Sequence, residues 1–586
     1  MTNVCHPSGD DLLAAVRAQT GSDAHPIVAI ARRRGVGLGL ATGERTFAID
    51  ESDADAVVAT LEATASPRWL MWSADTAAEL LPAGLRVARA WDLAAVHRLL
   101  FGGFRAEPAR VWAQLHDRSP ASIPALGQLG LLDEHVDEGD DPERPDRPDG
   151  HLRPEWTAGG WGDSPGHLAT WAGTGLTAGV LQQERLRALT AHPAIATARS
   201  ESAAELLTTE LSADGLPLDR SVLSTLLAES IGPRPRDAAE VIARREQRDA
   251  EVLAHAPLGG DRDLRNPAHV RSLLRRVGVD VADTRAWRLE PLRHTHPFVD
   301  ALLRWRKAER WATTYGYDWL DQHVGPDGRL RGPWTASDGA AGRMTAGAGL
   351  HSLPSELRAA VAAEPGYVLV RADLGQIEPR VLAAVSGDEA FAQAARTDDL
   401  YAPVARTLGV PRDIAKVAVL AAMYGQRSGT AGQALAGMER AYPTAIAYLD
   451  GADRAGQLGH DVRTYGGRLV RMGDDARLAE LSPEQERRAR AARGRFARNA
   501  MIQGAAAELF KTWAATVRAR LTATDAGIVL CLHDELLVHA PATEAADVAV
   551  TIDDALAQSA ARWRPAGCDV RFVTDTNIVA RWSEVH

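Results

Sequence analysis

Arg412-Asp-Ile-Ala-Lys416-Val-Ala-Val-Leu420-Ala-Ala-Met-Tyr424-Gly425 is the most informative stretch of this chain. Arg412, Lys416, Leu420 and Tyr424 are spaced four apart, so on a helix they form one continuous stripe about 18 Å long. Pro411 precedes the stripe, and a helix tolerates proline at that position. The stretch therefore predicts a helix with two cations at one end of a face and a phenol at the other.

The chemistry of this stripe suits a nucleotide-like ligand. A triphosphate could lie on the cationic end while a base and a sugar reach the aromatic end. The opposite face carries Ile414, Val417, Ala418 and Ala421, and we expect it to pack inward. The alternative is a solvated helix edge with an incidental basic pair, because short motifs have many false positives.

A carboxylate that could hold the metal of such a ligand follows a predicted strand at residues 366–373. The apolar run Val368-Leu-Val370 is typical of a buried strand. Asp373 falls at its end, where a carboxylate can face a metal rather than the core. A helix is predicted next, with Pro379 in its first turn. The alternative role of Asp373 is to cap that helix.

A second acidic pair lies in Gly527-Ile-Val-Leu-Cys-Leu-His533-Asp534-Glu535-Leu-Leu-Val-His539. Apolar residues on both sides of His-Asp-Glu predict a hairpin with its polar residues at or near the turn. An ordinary solvated turn is the alternative, since Asp favours turns. Two carboxylates between apolar strands nevertheless need water or a cation, because buried charge is costly.

Together these segments resemble motifs A, B and C of the family A DNA polymerases, the group that includes bacterial DNA polymerase I. Asp-x-x-Gln-Ile-Glu-x-Arg stands at 373–380, Arg-x3-Lys-x7-Tyr-Gly at 412–425 and His-Asp-Glu at 533–535. A fourth match is Arg495-x3-Asn499-x3-Gln503-Gly504. The order and separation of the four also agree with the family.

The resemblance implies template-directed addition of deoxynucleotides to a primer end, with two Mg²⁺ ions as cofactors and Mn²⁺ as a possible substitute. It implies that Asp373 and Asp534 bind the metals and that Glu535 and Lys416 assist catalysis. The implied nucleotide-binding residues are Arg412, Lys416, Leu420, Tyr424, Glu378, Gln376 and His533, with Glu378 excluding a ribose 2′-OH. The implied primer-template contacts are Arg343, Arg495, Asn499 and Gln503.

The chain departs from the family pattern at several positions near these residues. Leu374-Gly375 replaces Tyr-Ser after the motif A aspartate, and Leu420 replaces an aromatic residue of motif B. Gly349-Leu-His-Ser-Leu-Pro354 replaces the usual Asn-x-x-Asn-Ile-Pro. None of these changes removes a metal ligand. We expect an active enzyme with altered sugar discrimination.

The implied fold class is a multi-domain α+β right-hand polymerase preceded by an RNase H-like α/β domain. The predicted boundaries are an exonuclease-like domain at 1–195, with a flexible acidic loop at about 133–165, a thumb at 196–335, palm segments at 336–400 and 491–586, and fingers at 401–490. Long helices are predicted over 200–213, 236–254, 297–323, 443–456 and 483–521, and a strand cluster over 462–472.

The N-terminal domain lacks the carboxylates that a 3′–5′ exonuclease needs. Its first predicted strand, Pro26–Ile30, has no Asp-x-Glu, and Gly175 stands where the third motif usually has Asp. Asp75 is the one carboxylate at a matching position, and a lone carboxylate cannot hold two metals. We therefore predict a vestigial domain without proofreading activity. From the length we expect no separate 5′-nuclease domain.

Composition is compatible with a DNA-binding protein despite a net charge of −11. Residues 133–150 are rich in acidic residues and proline, whereas arginines cluster at 271–310 and 487–498, and local patches decide DNA binding more than net charge. Three cysteines without metal spacing argue for a reducing compartment. A cytoplasmic, nucleoid-associated monomer without a membrane segment is expected.

Two other classes of function stay open at this stage. A single-subunit RNA polymerase shares motifs A to C but is not expected to keep Glu378 as a sugar gate. A non-catalytic DNA-binding relic is also possible, although every metal ligand of the polymerase motifs is present.

Overall fold

The computed structural model describes residues 4–5, 9–18, 25–127, 141–259, 261–425, 430–473 and 480–584. The chain forms two compact units. The larger unit comprises Met1–Asp214, Pro333–Ala346 and Pro365–Val579, and the smaller one Gly215–Gly332, Gly347–Glu364 and Ala580–His586. Within the described ranges, no helix is both long and apolar enough to cross a membrane.

The N-terminal part of the larger unit is a mixed sheet flanked by helices. The strands run in the order β1-β4-β3-β2-β5-β6, with β2 antiparallel to β3 and parallel to β5. Its elements are β1 (Val4–Cys5), α1 (Gly9–Arg17), β2 (Ile27–Arg33), β3 (Gly37–Thr42), β4 (Arg45–Asp50), α2 (Glu51–Ala65), β5 (Arg68–Met71), α3 (Asp75–Leu80), β6 (Ala90–Asp92), α4 (Leu93–Phe101), α5 (Pro108–Leu115), α6 (Pro154–Thr157), α7 (Pro165–Ala188) and α8 (Ala194–Asp214).

The flexible loop predicted at about 133–165 is packed in its second part, so that prediction is wrong there. Helix α6 lies in this segment, and Leu152 and Trp156 are buried in the core beside α7. These apolar side chains follow the acidic run and anchor the chain to the sheet domain. Residues 133–140 lie outside the described residues.

The smaller unit is mainly helical. It contains β7 (Leu216–Pro217), α9 (Arg220–Ile231), α10 (Ala238–Leu253), α11 (Pro267–Arg276), α12 (Ala286–Leu289), α13 (Pro297–Thr314), α14 (Tyr317–His323) and β8 (Arg329–Leu330). The thumb is predicted to begin at 196, whereas α8 lies in the larger unit. Residues 580–584, predicted as palm, lie in the smaller unit.

The single helix predicted over 297–323 is two helices in the structure. Gly316 adopts extended backbone and caps α14. The preceding Tyr315 is fully buried, and its hydroxyl donates to the Ser352 carbonyl at 2.7 Å. Apolar periodicity alone does not reveal this break, because a contact with a distant segment stabilises it.

The C-terminal part of the larger unit supplies a second sheet and a group of helices. Its elements are β9 (Trp334–Thr335), β10 (Thr345–Ala346), β11 (Tyr367–Leu374), α15 (Ile377–Val385), α16 (Glu389–Ala394), α17 (Tyr401–Leu408), α18 (Arg412–Tyr424), α19 (Thr430–Ala441), α20 (Pro443–Gln457), β12 (Val462–Arg463), β13 (Leu469–Val470), α21 (Pro483–Leu521), β14 (Gly527–Leu532), β15 (Glu535–Pro541), α22 (Ala545–Trp563) and β16 (Thr574–Val579).

The second sheet has the order β14-β15-β11-β16, and its pairs are antiparallel. Helices α21 and α22 pack together beside it in one large apolar core that also includes α18 and α20. Helix α21 crosses the boundary predicted at 490/491 as one continuous helix. The strand region predicted at 462–472 is a short hairpin of β12 and β13.

A buried ion cluster joins α8 to α21 inside the larger unit. The Lys511 ammonium lies 2.6 Å from a Glu201 carboxylate oxygen, and Arg468 pairs with the same carboxylate. Burial opposes ionisation of Glu201, but the two cations lower its pKa. Because all three side chains are buried, removing one partner leaves uncompensated charge in the core.

Candidate active site

Three carboxylates form one row across the second sheet. Asp373 of β11 is directly opposite Glu535 of β15 and directly opposite Asp575 of β16. Directly opposed residues of adjacent strands project from the same face of a sheet. Arg371 precedes Asp373 by two residues in β11, so it projects from that face as well.

Asp534 joins this row from the turn between β14 and β15. His533 and Asp534 are the two residues between these strands, and His533 has a positive φ of 55°. The backbone N–H of Leu374 donates to the Asp534 carbonyl oxygen at 2.9 Å. This bond holds the residue after Asp373 against Asp534, so the sheet brings the two predicted metal ligands together.

The negative charge of Asp534 disfavours ionisation of the Asp373 carboxyl group. Burial first and the Asp534 charge second raise the pKa of Asp373 to about 6. Burial also raises the pKa of Asp534, and neighbouring Glu535 adds to that effect. Such a pair gains stability from a cation, since like charges near one another disfavour ionisation.

Arg371 supplies cationic charge to this site. Its Nη2 lies 3.2 Å from Asp373 Oδ2, and its Nε donates to Glu535 Oε1 at 2.9 Å. Its Nη1 lies 4.0 Å from Asp575 Oδ2. The sequence motifs do not include Arg371; the charge two residues before a predicted metal ligand was the signal that could have revealed it.

The donor set suits Mg²⁺ or Mn²⁺, although the protein does not form a closed metal cage. Among the described residues, no cluster of three or more Asp, Glu, His or Cys side chains is arranged to hold a metal by itself. Asp373 and Asp534 offer the carboxylate oxygens that a hard cation prefers, and Mg²⁺ commonly completes its shell with water and substrate phosphates. The residues therefore fit a metal that shares its ligands with a bound substrate.

The predicted stripe lies along one face of α18, but the prediction that the whole opposite face packs inward is wrong at two positions. Arg412 and Lys416 are exposed at the N-terminal end of α18, and Leu420 and Tyr424 are half-buried further along. Ala418 and Ala421 are buried as expected, whereas Ile414 and Val417 are 43% and 44% exposed. Ala415 and Val419 are buried instead, so the inward face of α18 is turned about the helix axis relative to the predicted face.

Arg412 and Gln376 are linked through Asp399. The Arg412 Nε donates to Asp399 Oδ2 at 2.6 Å, and Gln376 Nε2 donates to Asp399 Oδ1 at 3.1 Å. Gln376 Oε1 also accepts from the backbone N–H of Leu400 at 2.9 Å. Gln376 thus positions the segment that carries Asp399. Lys416 has no ion pair among the described residues, which leaves its ammonium available on the exposed face.

Glu378 is held between two predicted site residues. The Tyr424 hydroxyl donates to Glu378 Oε2 at 2.9 Å, and Arg343 Nη2 donates to Glu378 Oε1 at 2.6 Å. The Glu378 side chain is 15% exposed. Motif A, motif B and Arg343 therefore meet at one carboxylate, a convergence that the sequence spacing alone did not reveal.

Helix α21 carries the fourth motif. Arg495 is exposed, and Asn499 and Gln503 are half-buried one and two turns later. Arg498, which lies outside the motif, is buried and donates from Nε to the Ala422 carbonyl at 2.8 Å and from Nη1 to Asp450 at 2.6 Å. It fixes the C-terminal end of α18 to α21 and thereby positions Tyr424.

The arginines predicted as a basic patch at 487–498 are largely engaged within the protein. Arg488 and Arg490 pair with Glu484 and Glu486 one turn earlier on α21. Arg493 donates to the backbone carbonyls of Gly456 and Gln457. These three arginines are therefore paired within the protein and do not form an unpaired basic surface.

Comparison with known proteins identifies the family. The sequence model of DNA polymerase family A matches residues 276–584. A thermostable DNA polymerase I of Thermus thermophilus is 29% identical over 381 residues, covering 59% of this chain and 44% of that protein. DNA polymerase I of Chloroflexus aurantiacus is 32% identical over 322 residues, covering 49% and 33%. The chain thus spans less than half of the length of these relatives.

The fold is also similar to a solved polymerase structure. The POL domain of Pol1 from M. smegmatis, solved in complex with DNA primer-template and dNTP, matches with a TM-score of 0.67 at 20% identity over 99% of both chains. This match confirms the predicted α+β right-hand fold class. On the family match, which covers more than half of its residues, the chain belongs to DNA polymerase family A.

Proposed function

We propose that this protein is a template-directed DNA polymerase that extends a primer 3′ end with deoxynucleotides. The observation that most supports the proposal is the hydrogen bond from the Leu374 N–H to the Asp534 carbonyl, because it ties motif A to motif C next to the residues that carry the two carboxylates. The mutually unfavourable charges of Asp373 and Asp534 are the arrangement expected of ligands for a shared cation.

Asp373 and Asp534 would hold Mg²⁺, with Mn²⁺ as a substitute. Two bound ions would stabilise the attacking and leaving oxygens of an in-line phosphoryl displacement. Glu535 touches Arg371 rather than lying on the solvent side, so we assign it a supporting role at the carboxylate row.

The exposed end of α18 would receive the triphosphate. Lys416 would supply a point charge that forms no ion pair within the described part of the chain. Arg412 would have to leave Asp399 before its planar guanidinium could bind phosphate oxygens. Leu420 and Tyr424 continue the same face toward Glu378, which would exclude a ribose 2′-OH. Leu420 is smaller and more flexible than an aromatic ring, which supports altered sugar discrimination. His533, exposed at the turn, would contact the reacting end of the primer or nucleotide.

Primer-template DNA would lie against Arg343, Arg495, Asn499 and Gln503. These residues offer a mixture of cationic and amide groups, which suits phosphate and minor-groove contacts that do not depend on sequence. In this assignment the sheet of β11 and β14–β16 is the palm, α17–α20 are the fingers and the smaller unit is the thumb. We propose a monomer that acts in the cytoplasm on nucleoid DNA, in repair, gap filling or replication.

The same proposal holds that the N-terminal domain does not proofread. Trp72 stacks on Trp171 with ring centroids 4.6 Å apart, and Gly175 lies against the Trp72 ring. Ala29 and Ala31 of β2 belong to the same buried apolar core. The face of the sheet that carries metal ligands in an active exonuclease is therefore filled by indole rings and aliphatic groups, while Asp75 is exposed and accepts a hydrogen bond from Ser73.

Primer extension tests the proposal against both alternatives. We expect the wild type to add dNTPs to a primed template with Mg²⁺, and Asp534→Ala to abolish addition. Asp525→Ala is the matched control, because Asp525 is an exposed acidic residue just before the same hairpin. Efficient use of rNTPs instead of dNTPs would favour the RNA polymerase class, and no incorporation of either by the wild type would favour the relic.

A further inference from the structure

The carboxylate row of the second sheet contains a built-in cation at the place where metal chemistry is proposed. Asp373, Glu535 and Asp575 lie opposite one another on three adjacent strands. Like charges at directly opposed positions destabilise a sheet. Arg371 projects from the same face and contacts two of the three carboxylates within 3.2 Å.

The Arg371 guanidinium is well placed to resist displacement. Its side chain is 15% exposed, and the Glu535 side chain is 10% exposed, so their ion pair is shielded from water. The planar fork uses Nε for Glu535 and Nη2 for Asp373, which a lysine with a single ammonium cannot reproduce. Asp373 Oδ2 is thereby already engaged by a cation.

We propose that Arg371 is a positioning residue that acts as the resident counter-ion of this carboxylate row, so that a divalent metal binds Asp373 in competition with the guanidinium. This inference rests on the proposed function for the role of Asp373. It assigns to this chain a low metal affinity before substrate arrives, because phosphate oxygens are then needed to complete the ligand set. The affinity is set by Arg371, a residue outside the recognised motifs.

The test is direct Mn²⁺ binding to the full chain without DNA or nucleotide, measured by electron paramagnetic resonance of free Mn²⁺. We expect Arg371→Gln to bind Mn²⁺ about tenfold more tightly than the wild type, because the variant removes a positive charge that lies 3.2 Å from the Asp373 carboxylate. Arg371→Lys should lie between the two, because it keeps the charge but cannot bridge both carboxylates. Arg396→Gln is the control, since Arg396 forms an exposed ion pair with Asp569.

Equal or weaker Mn²⁺ binding by Arg371→Gln would overturn the inference. If that variant does not fold, as judged by circular dichroism, Arg371→Lys decides alone: tighter binding than wild type supports the competition, and unchanged binding refutes it. Primer extension by the wild type is measured separately. If Arg371→Gln does not change Mn²⁺ binding but the wild type extends primers, the competition is refuted and the proposed function stands. If Arg371→Gln binds Mn²⁺ more tightly but the wild type does not extend primers, the proposed function is refuted and the competition stands.

Discussion

The hydrogen bond between Tyr424 and Glu378 gives a quantitative prediction about sugar selection. Glu378 is restrained by Tyr424 at 2.9 Å and by Arg343 at 2.6 Å. Burial, followed by the charge of Glu378, raises the pKa of Tyr424 to about 12, so its hydroxyl stays protonated and donates at neutral pH. Tyr424→Phe removes this donor while it keeps the ring.

The magnitude follows from the cost of displacing Glu378. A hydrogen bond to a charged group contributes about 1.5–3 kcal/mol. Arg343 still holds the other carboxylate oxygen in the variant, so we take the lower value, and about 1.4 kcal/mol corresponds to a factor of ten. If Glu378 excludes the ribose 2′-OH by staying in place, Tyr424→Phe should lower the preference for dNTP over rNTP about tenfold.

Single-nucleotide incorporation measures this preference as the ratio of kcat/KM for dNTP and rNTP. Tyr442→Phe is the matched control, because it removes the hydroxyl of a buried tyrosine in the apolar core to which α18 contributes. In a Glu378→Ala background the Tyr424 change should have no further effect on the ratio. A Tyr424→Phe enzyme that adds dNTPs with the wild-type preference would refute the reasoning, as would an equal loss in Tyr442→Phe.

Lys511→Met should lower the free energy of unfolding by about 3–5 kcal/mol, because it leaves Glu201 buried with one cation fewer. Lys307→Met is the control, because it breaks an exposed ion pair with Glu356. A thermal midpoint of Lys511→Met that is no lower than that of Lys307→Met would contradict the prediction. Burial raises the pKa of Glu508 to about 7, so the folded state holds a proton that the unfolded state has lost, and stability should fall as pH rises from the ordinary carboxyl range through 7. Glu508→Gln should flatten this part of a thermal-midpoint profile, and an unchanged slope would show that Glu508 does not titrate there. Gly175→Asp should restore no nuclease activity on single-stranded DNA. The variant should also lower the thermal midpoint, because a Cβ at residue 175 would lie 3.2 Å from Trp72 Nε1. Metal-dependent degradation of single-stranded DNA by this variant would show that the domain keeps a usable nuclease site.

Much of the fold follows from local features of the sequence. The bounds predicted for α21 agree with the structure because Ser482, Pro483 and Gln485 form a capping box with proline in the first turn. The β14–β15 hairpin agrees because polar residues separate two apolar runs. The acidic and basic residues of the motifs were also recognisable, since their spacing matches the period of the helix or strand that carries them.

The tertiary structure decided which of these residues act together. Arg371 meets Glu535, which is 164 positions away in the sequence, only because of the register between β11 and β15. Glu378 of α15 meets Tyr424 of α18 and Arg343, which lies in the segment just before β10. Packing between distant segments also explains why Ile414 is exposed and why the helix predicted over 297–323 breaks at Tyr315.

The sequence alone thus determined the family, most element types and the chemical character of the site, because caps, turns and apolar periodicity act over a few residues. Only the tertiary structure decided that Arg371 is a counter-ion, that Glu378 has two restraints and that Trp72 and Trp171 fill the core of the N-terminal domain. Strand register and helix packing are set by long-range burial of apolar surface, and one sequence without that context does not specify which distant charges it brings into contact.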